Sequence, residues 1–353
     1  MTTNEISELY MRRCLELASS AEGLTYPNPL VGAVLVHEGK IIAEGKHAFY
    51  GAPHAEPDAI SKINDAEILK QCTLYVNLEP CCHFGKTPPC TDRIIATGIP
   101  HVVVAALDTS SKIDGKGIKA LNEAGIVTTL GVLENEAREL NRFFYTYHEK
   151  KRPYILLKWA QTPDGFIDSD RKTPETPPVR ISNSLTQIFD HHLRNRYQAI
   201  MVGTNTIVMD NPNLTNRCWY GKNPLRITVD RHGVLNHKYN IFNDDAESIV
   251  FTENRTINYG NRAETIPCTN LMQIMKVLHD RRIQSLIVEG GAKLLNSFIE
   301  LGLWDEIITF TGDFPLGKGV KAPVVPAGKF ALSTESLGTN TVERIVNLKS
   351  IFL

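Results

Sequence analysis

Hydrophobic and polar positions in the first part of the chain alternate between the spacings of helices and those of strands. Apolar side chains recur at helical intervals between Ile6 and Ala18, which predicts an amphipathic first helix. Apolar runs that predict strands lie at 31–36, 41–45, 73–78, 101–107 and 126–130, and further helices are predicted at 57–63, 91–95, 117–124 and 133–147. This alternation predicts a central sheet covered by helices.

The same alternation returns after Lys150-Lys151-Arg152-Pro153, a basic segment ending in proline that indicates a domain boundary. Strands are predicted at 154–160, 199–203, 226–230, 248–252, 285–289, 306–311 and 342–348, and helices at 184–197, 270–282 and 292–301. A chain of 353 residues is long for one domain and suits two. We therefore expect two α/β domains, at 1–148 and 149–353.

Composition and charge narrow the function classes. Apolar residues make up 42% of the chain and the formal net charge is -1, so nothing favours a polyanion such as RNA or DNA as partner. The first residues lack the basic and apolar regions of a signal peptide, and no apolar run has the length needed to cross a bilayer. We expect a cytoplasmic protein with no membrane and no nucleic-acid partner.

The strongest chemical signal is a set of metal-ligating residue types that begins at His54. The His54-Ala55-Glu56 triplet follows a Gly-x-Pro turn, and Pro80-Cys81 ends the strand at 73–78 ahead of a further cysteine, Cys90. One imidazole and two thiolates suit a tetrahedral zinc that keeps a fourth position for water. His-x-Glu followed by Pro-Cys and another Cys is the arrangement of zinc-dependent nucleobase deaminases. We predict His54, Cys81 and Cys90 as ligands of Zn2+.

Glu56 is the predicted catalytic residue. When bound, zinc lowers the pKa of a water at its open position, so that a nucleophile forms near neutral pH. A carboxylate two residues after the histidine ligand is placed to accept that proton during attack on the amine-bearing ring carbon. The same carboxylate would then return the proton to the departing ammonia.

Other interpretations of this pattern remain open on the residues alone. Residues 82–89 separate the two cysteines, whereas the commonest deaminase pattern has only two intervening residues. A tRNA-editing deaminase should have that short gap and a basic surface, and neither is seen. A non-catalytic zinc scaffold would need a fourth protein ligand, for which Cys82 and His83 are candidates. Both rank below Cys81, which directly follows Pro80 as the deaminase pattern requires.

The segment Glu79–Cys90 resembles the bifunctional deaminase/reductase family of riboflavin biosynthesis. That family spaces its zinc cysteines in this way and fills the gap with a Gly-Lys/Arg-Thr-Pro-Pro segment, which stands here at 85–89. The resemblance continues through Asn28-Pro29-x-Val31-Gly32 and through Gly45-x-His47 with Gly51-x-Pro53-His54-Ala55-Glu56. It implies a cytidine-deaminase-like three-layer α/β/α domain that deaminates a small-molecule pyrimidine nucleotide, 2,5-diamino-6-(5-phosphoribosylamino)pyrimidin-4(3H)-one. The implied substrate-binding residues are Asn28, His47, Lys86, Thr87 and Asp108.

The second half resembles the reductase half of the same family. The matching motifs are Lys158-x-Ala160-x-Thr162-x-Asp164-Gly165, Val202-Gly203-x-x-Thr206, Asp210-x-Pro212-x-Leu214-Thr215 and Val288-Glu289-Gly290-Gly291. They imply a dihydrofolate-reductase-like α/β domain that uses NADPH to form 5-amino-6-(5-phosphoribitylamino)uracil, in a protein that we expect to be a homo-oligomer. The residues implied to contact NADPH are Ala160, Arg180, Thr206, Asp210, Arg231 and Gly291. Those implied to face the ribosyl substrate are Lys158, Arg194, Leu214, Arg217 and Glu289.

The second half also departs from that family pattern. Thr162-Pro163 stands where Ser-Leu is usual, and Arg180 stands where tryptophan is frequent. The strand that ends at Glu289 runs into paired glycines, but the full Gly-x-Gly-x-x-Gly fingerprint of a standard Rossmann site is absent. The alternative function is therefore a deaminase joined to a reductase domain that has lost or changed its task.

Overall fold

The computed structural model describes residues 3–84, 88–111, 113–254, 256–325 and 330–347. The chain divides into two compact units, Met1–Lys151 and Arg152–Leu353. The boundary expected after residue 148 falls within the last turn of the helix that precedes this division. No helix in these ranges has the length and apolar character required to span a membrane.

The first unit is built on a five-stranded sheet of order β2-β1-β3-β4-β5. Its strands are β1 (Gly32–His37), β2 (Lys40–Lys46), β3 (Thr73–Leu78), β4 (His101–Ala106) and β5 (Val127–Leu130). Its helices are α1 (Thr3–Ser19), α2 (Ala55–Ile60), α3 (Ala66–Leu69), α4 (Cys90–Thr97), α5 (Lys116–Glu123), α6 (Glu134–Leu140) and α7 (Arg142–Lys150). β1 pairs antiparallel with β2 and β3, whereas β3, β4 and β5 run parallel.

Helices cover both faces of this sheet, because successive residues of a strand point to opposite faces. Leu35 of β1 belongs to a buried cluster that also contains Ala59 of α2 and Ile94 of α4. On the opposite face α1 packs against β1 and β3, and Cys14 Sγ lies 3.4 Å from the carbonyl oxygen of Tyr75. Fully burying a side chain of the size of Leu35 or Ile94 contributes roughly 1.5–3 kcal/mol. The predicted three-layer arrangement is confirmed.

The single helix predicted over 133–147 is wrong, because the structure has two helices separated at Asn141. The Asn141 side chain accepts from the N–H of Leu30 at 2.8 Å and donates to the carbonyl of Leu30 at 2.9 Å. Asn77 of β3 donates to the same carbonyl at 3.0 Å and accepts from the N–H of Gly32 at 2.8 Å. These buried hydrogen bonds hold the segment that carries Asn28. The stabilisation that they provide outweighs the preference of residues 133–147 for one continuous helix.

The second unit contains a nine-stranded sheet of order β11-β10-β9-β8-β12-β6-β13-β16-β15 and a two-stranded sheet, β14-β7. Its strands are β6 (Tyr154–Gln161), β7 (Phe166–Asp168), β8 (Ala199–Gly203), β9 (Leu225–Val229), β10 (Ser248–Phe251), β11 (Ala263–Ile266), β12 (Ser285–Glu289), β13 (Glu306–Thr311), β14 (Val320–Lys321), β15 (Phe330–Leu337) and β16 (Asn340–Asn347). Its helices are α8 (Ser184–Arg196), α9 (Thr204–Asp210), α10 (Leu271–Asp280) and α11 (Ala292–Glu300), with a 3-10 turn at Asn240–Phe242.

The parallel part of this sheet determines where functional residues gather. The strands from β11 to β13 in the sheet order run parallel, and only β16 and β15 add antiparallel pairs. Parallel neighbours bring their carboxyl ends to one edge, which is where open α/β sheets bind ligands. β9, β8, β12 and β6 are consecutive neighbours, so the segments that follow them lie along the same edge.

Candidate active sites

The predicted zinc ligands converge where β3 ends and where α2 and α4 begin. His54 is the residue before α2, Cys81 follows β3, and Cys90 is the first residue of α4. His54 Nδ1 lies 3.3 Å from Cys90 Sγ and 3.6 Å from Cys81 Sγ, and the three ligand atoms all lie within 4.8 Å of one another. Tetrahedral zinc, with Zn–S of about 2.3 Å and Zn–N of about 2.0 Å, holds its ligands at roughly these separations. The donor set therefore fits zinc.

The two thiols of this group are unequal. The hydrogen bond from the Cys90 thiol, together with that from His54, lowers the pKa of Cys81 to about 4. The N–H of Cys90 at the start of α4 also points to Cys81 Sγ, at 3.4 Å. The same contact with Cys81 raises the pKa of Cys90. Zinc binds cysteine as thiolate, so holding the metal would require both sulfur atoms to be deprotonated.

Glu56 is the carboxylate next to these ligands. It lies in the first turn of α2 and its residue surface is only 3% exposed. Burial raises the pKa of Glu56 to about 7, and negative charge on Cys81 adds to the rise. A carboxyl group with a pKa near neutrality can both accept and return a proton at neutral pH.

Asn28 and His47, both predicted to hold substrate, form a hydrogen-bonded pair beside the ligand set. Asn28 Nδ2 donates to His47 Nε2 at 3.0 Å, and His47 Nδ1 donates to the carbonyl of Pro53 at 3.0 Å. Burial lowers the pKa of His47, which favours this neutral tautomer. The His47 ring meets the edge of the His54 ring with centroids 5.4 Å apart. The pair therefore ties Asn28 to the turn that precedes His54.

Asp108 follows β4 and is buried. Burial raises the pKa of Asp108 to about 6, while its carboxylate accepts from the N–H of Ser110 at 2.7 Å. The other two residues predicted to bind the deaminase substrate, Lys86 and Thr87, lie outside the described residues.

Glu79 links the segment that carries Cys81 to the loop that carries Asp108, a role that the sequence analysis missed. This buried carboxylate directly precedes Pro80-Cys81 and accepts hydrogen bonds from four backbone N–H groups. The donors are Asp108 at 3.1 Å, Gly115 at 3.1 Å, Gly117 at 2.8 Å and Ile118 at 3.2 Å. The only sequence signal was an acidic residue directly after an apolar strand.

Replacing Glu79 with Gln is expected to lower the free energy of unfolding of the first unit by about 2–6 kcal/mol. The amide group of Gln would replace one carboxylate oxygen and face its two N–H donors, one buried and one partly buried, and each unsatisfied donor costs about 1–3 kcal/mol. Urea unfolding followed by circular dichroism measures this effect. The matched control is Glu67→Gln, since the exposed Glu67 carboxylate pairs with Lys70 on the surface. Equal stability of the two variants would contradict the stabilising role of the hydrogen bonds to Glu79.

In the second unit Lys158, Arg194 and Glu289, which were predicted to face the ribosyl substrate, contact one another, and Asp190 joins them. Lys158 on β6 is the register partner of Glu289 on β12, and its Nζ lies 3.3 Å from Glu289 Oε1. Arg194 Nη2 lies 3.1 Å from Glu289 Oε2 and 2.9 Å from Asp190 Oδ2. Asp190 also forms an ion pair with Lys158. The sequence analysis missed Asp190, although its spacing of four residues from Arg194 on a helix was an available signal.

Leu214 and Arg217 lie on a segment that is hydrogen-bonded to Arg194 of this charged group. Arg194 Nη1 donates to the carbonyl of Thr215 at 3.1 Å, next to the buried Leu214. Arg217 donates through its backbone N–H to His191 Nδ1 at 2.8 Å and through Nη1 to Thr215 Oγ1 at 2.9 Å. Burial, together with the charges of Arg194 and Arg217, lowers the pKa of His191 to about 4. His191 is therefore a neutral acceptor that orients Arg217.

Thr206 and Gly291, both predicted to contact NADPH, are adjacent at the carboxyl ends of β8 and β12. A Cβ atom at Gly290 would lie 3.1 Å from Thr206 Cγ2, and one at Gly291 would lie 3.1 Å from Thr206 Oγ1. Both glycines have positive φ angles, 64° and 72°, which favour glycine. They lead into α11, whose first N–H groups can meet a phosphate. This cradle fits the diphosphate of a nucleotide cofactor.

Three further residues predicted to contact NADPH lie in three different segments of the second unit. Ala160 lies near the end of β6, half-buried. Arg231 follows β9 and forms an exposed ion pair with Glu253 at 3.6 Å. Arg180 is exposed in the segment before α8 and belongs to no helix or strand.

Asp210, at the end of α9, is paired with Arg171 of the segment that follows β7. The Arg171 side chain is only 6% exposed, and its Nε donates to Asp168 at 2.6 Å. The structure therefore connects Asp210 to the segment between β7 and α8. The unusual Thr162 closes the turn before β7, since its N–H donates to the carbonyl of Phe166 at 2.8 Å.

Comparison with known proteins supplies the evidence for the family. Residues 153–345 match the model of the RibD C-terminal domain, and residues 4–106 match the cytidine and deoxycytidylate deaminase zinc-binding region. The riboflavin biosynthesis protein RibD of Aquifex aeolicus is 40% identical over 353 residues, which covers 98% of this chain and 94% of that protein. This chain belongs to the RibD family. RibD of Bacillus amyloliquefaciens is 35% identical over 337 residues, covering 92% of this chain and 89% of that protein.

Solved structures of the RibD family have the same architecture over nearly all of the chain. A diaminohydroxyphosphoribosylaminopyrimidine deaminase/5-amino-6-(5-phosphoribosylamino)uracil reductase from Thermotoga maritima superposes with a TM-score of 0.89 at 38% identity, covering 98% of this chain and 99% of that one. RibD of Acinetobacter baumannii gives a TM-score of 0.88 at 28% identity, covering 97% and 99%. The predicted fold, a deaminase-like domain followed by the RibD reductase domain, is confirmed.

Membership of the RibD family also confirms the predicted class of activity. The protein is a bifunctional enzyme of riboflavin biosynthesis, a zinc-dependent deaminase joined to a reductase that uses NADPH. The RibD reductase model matches most of the second unit, so the comparisons favour the bifunctional interpretation over a degenerate reductase domain. The tRNA-editing deaminase and the non-catalytic zinc scaffold are likewise not supported.

Proposed function

We propose that residues 1–148 deaminate 2,5-diamino-6-(5-phosphoribosylamino)pyrimidin-4(3H)-one and that residues 149–353 reduce the deaminated product to 5-amino-6-(5-phosphoribitylamino)uracil. The observation that carries the first assignment is the His54, Cys81 and Cys90 group with a buried carboxylate, Glu56, beside it. The second assignment is supported by a charged group around Lys158 at the same sheet edge as the paired glycines.

In the proposed deaminase, this chain's residues hold the substrate and move one proton. When bound, zinc supplies the Lewis acidity that activates a water molecule. Glu56 accepts a proton on its carboxylate and returns it to the departing ammonia, a task supported by its pKa of about 7. The residues proposed to bind the nucleotide are Asn28, His47, Lys86, Thr87 and Asp108. Asn28 suits the polar edge of the pyrimidine, and Lys86 suits its phosphate.

In the proposed reductase, Lys158 and Glu289 face the ribosyl group and Leu214 packs against it. Arg194 and Arg217 provide positive charge for the 5-phosphate, because a guanidinium group binds phosphate with two parallel hydrogen bonds. Bound NADPH supplies a hydride. The residues proposed to bind it are Ala160, Arg180, Thr206, Asp210, Arg231 and Gly291, of which the Thr206–Gly291 cradle is the best supported.

Both activities are tested by incubating the purified chain with the diaminopyrimidine nucleotide, with and without NADPH. We expect ammonia release in both samples and oxidation of NADPH in the sample that contains it. A further sample with NADPH but without the nucleotide should show no oxidation. Ammonia assays and absorbance at the NADPH band measure the two reactions. Absence of ammonia would contradict the deaminase assignment, whereas ammonia without NADPH oxidation would contradict the reductase assignment.

The proposed partners are a small-molecule nucleotide and further copies of this chain, in the cytoplasm. The net charge of -1 is unlike that of proteins that bind nucleic acids. Zinc ligation by Cys81 and Cys90 requires reduced thiols, which a cytoplasmic enzyme keeps.

Among the described strands β15 ends the nine-stranded sheet, so its outer edge offers backbone groups for a second copy. Light scattering after size-exclusion chromatography tests the homo-oligomer, and a monomeric mass would contradict it.

A further inference from the structure

Four charged side chains form a closed ring of ion pairs in the second unit. Lys158 and Arg194 each contact both carboxylates, those of Asp190 and Glu289, so positive and negative groups alternate around the ring. The side chains are only 10–14% exposed. Salt screens such buried pairs little, and the ammonium form of Lys158 depends on the charges that surround it.

We propose that Asp190 is a positioning residue of the reductase that holds the ammonium group of Lys158 in place as the proton donor to the substrate. This inference rests on the placement of the ribosyl group beside Lys158 and Glu289 in the proposed function. It adds Asp190, a residue of α8, to the reaction without requiring it to touch the substrate.

The reduction requires a proton donor as well as a hydride. Opening of the ribosyl ring breaks the bond between C1′ and the ring oxygen, and it moves the N–H proton of the substrate to that oxygen, leaving a C1′=N double bond. Bound NADPH supplies the hydride to C1′, and the nitrogen takes one proton to become the amine of the product. The proton comes from Lys158, which regains one from solvent, so one proton is consumed in each turnover.

The geometry explains why Asp190 controls this donor. The groups that face Lys158 are Glu289 from β12, Asp190 and Arg194 from α8, and the ring of Phe310 from β13, whose centroid lies 5.4 Å from Nζ. Asp190 uses one oxygen for Lys158 and the other for Arg194, so it fixes both cations at once. Glu289 also contacts both, but it lies on the strand that leads to the cofactor cradle and is proposed to face the substrate.

The charges around Lys158 also support this role for Asp190. Burial lowers the pKa of Lys158, but the negative charges of Asp190 and Glu289 outweigh this effect and the net shift is upward. Arg194 opposes the ammonium form. Without the charge of Asp190, one carboxylate would face two cations, and the neutral amine of Lys158 would become the favoured form at lower pH.

The test is the pH dependence of the reductase kcat in Asp190→Asn, with the deaminated nucleotide as substrate. Lys158 donates only while it is protonated, so activity falls as pH rises through its pKa. Removing a contacting carboxylate lowers that pKa, and we expect the alkaline limb to move down by about 1–3 pH units. Asp190→Glu keeps the charge and is expected to keep the limb within about half a unit of the parent protein. The KM for NADPH should stay unchanged in both variants.

The matched control is Asp280→Asn, which removes an exposed carboxylate of α10 that pairs with Lys276 at 2.8 Å. Its reductase profile should equal that of the parent protein. Deaminase activity in each preparation standardises the amount of active chain, and NADPH binding reports whether the second unit is folded. Asp190→Ser, which removes the same charge with a smaller side chain, should reproduce the shift of Asp190→Asn.

The outcomes separate this inference from the proposed function. Lys158→Met should lose reductase activity, and full activity in that variant would refute the placement of substrate beside Lys158. Loss in Lys158→Met with an unshifted alkaline limb in Asp190→Asn would overturn the role of Asp190 alone. A change in KM without a shift would make Asp190 a binding residue and also overturn it. Loss of NADPH binding in both uncharged variants would show that Asp190 is only structural, with the same consequence.

Discussion

Replacing Glu56 with Gln is expected to lower the kcat of deamination about 10²–10⁴-fold, the range contributed by one positioned acid–base group. Gln has nearly the same shape but cannot accept and return a proton. Because Glu56 is not among the three grouped metal ligands, zinc content should stay that of the parent protein. Ammonia release measures the first expectation, and metal analysis after dialysis measures the second.

Two controls make the Glu56→Gln result specific. Glu67→Gln changes an exposed carboxylate of the same unit and should leave ammonia release unchanged. In Glu56→Gln itself, oxidation of NADPH with the deaminated nucleotide should continue at the parent rate, because the reductase residues lie in the other unit. Deamination within a few-fold of the parent rate would remove Glu56 from the catalytic role, and a simultaneous loss of zinc would make it a metal-site residue.

Replacing Cys90 with Ser is expected to weaken zinc binding more than about 100-fold and to abolish deamination. Loss of a residue that merely orients a ligand already costs about 10–100-fold in metal affinity, and here a ligand itself is removed. A serine hydroxyl does not replace a thiolate, because zinc binds soft sulfur ligands in their deprotonated form. Competition with a chromophoric chelator measures the affinity, and NADPH oxidation with the deaminated nucleotide checks that the second unit is intact.

Cys82→Ser is the matched control, since Cys82 adjoins Cys81 but does not belong to the group of converging ligand atoms in the described part of the chain. This variant should bind zinc like the parent protein and keep its deaminase activity. If Cys82→Ser lost zinc and Cys90→Ser retained it, the ligand set would be wrong. The pair of variants therefore distinguishes the two candidate cysteines by affinity as well as by activity.

The zinc site could be predicted because its ligands lie at the junctions of strongly patterned elements. Cys81 follows an apolar strand and His54 precedes a helix that begins near a proline, so the short segments alone indicate where the side chains lie. The turn at Gly290-Gly291 was predictable for the same reason, as it lies between a strand and a helix. The spacing of the two cysteines then indicated the family, which the comparisons confirm.

Weakly patterned elements were not predicted. β11 and β15 lie at the two ends of the nine-stranded sheet and were missed. Edge strands have little need for the apolar pattern that marks a buried strand, so periodicity identifies them poorly. The helix break at Asn141 was missed because its cause is a pair of hydrogen bonds to Leu30, 111 residues away in the chain.

The two-domain α/β organisation could be read from the sequence, and the sequence also predicts the zinc ligands and Glu56 as the general base, because each of these depends on short-range order along the chain. The hydrogen bonds from the Asp108 loop to Glu79 and the place of Asp190 in the charged ring follow from the tertiary packing. Lys158 is 32 residues from Asp190 and 131 from Glu289, so no local pattern joins them. A buried carboxylate forms hydrogen bonds and ion pairs with the groups that packing places near it. In this protein the order of strands in the sheet determines which groups those are, and the neighbouring residues in the sequence do not.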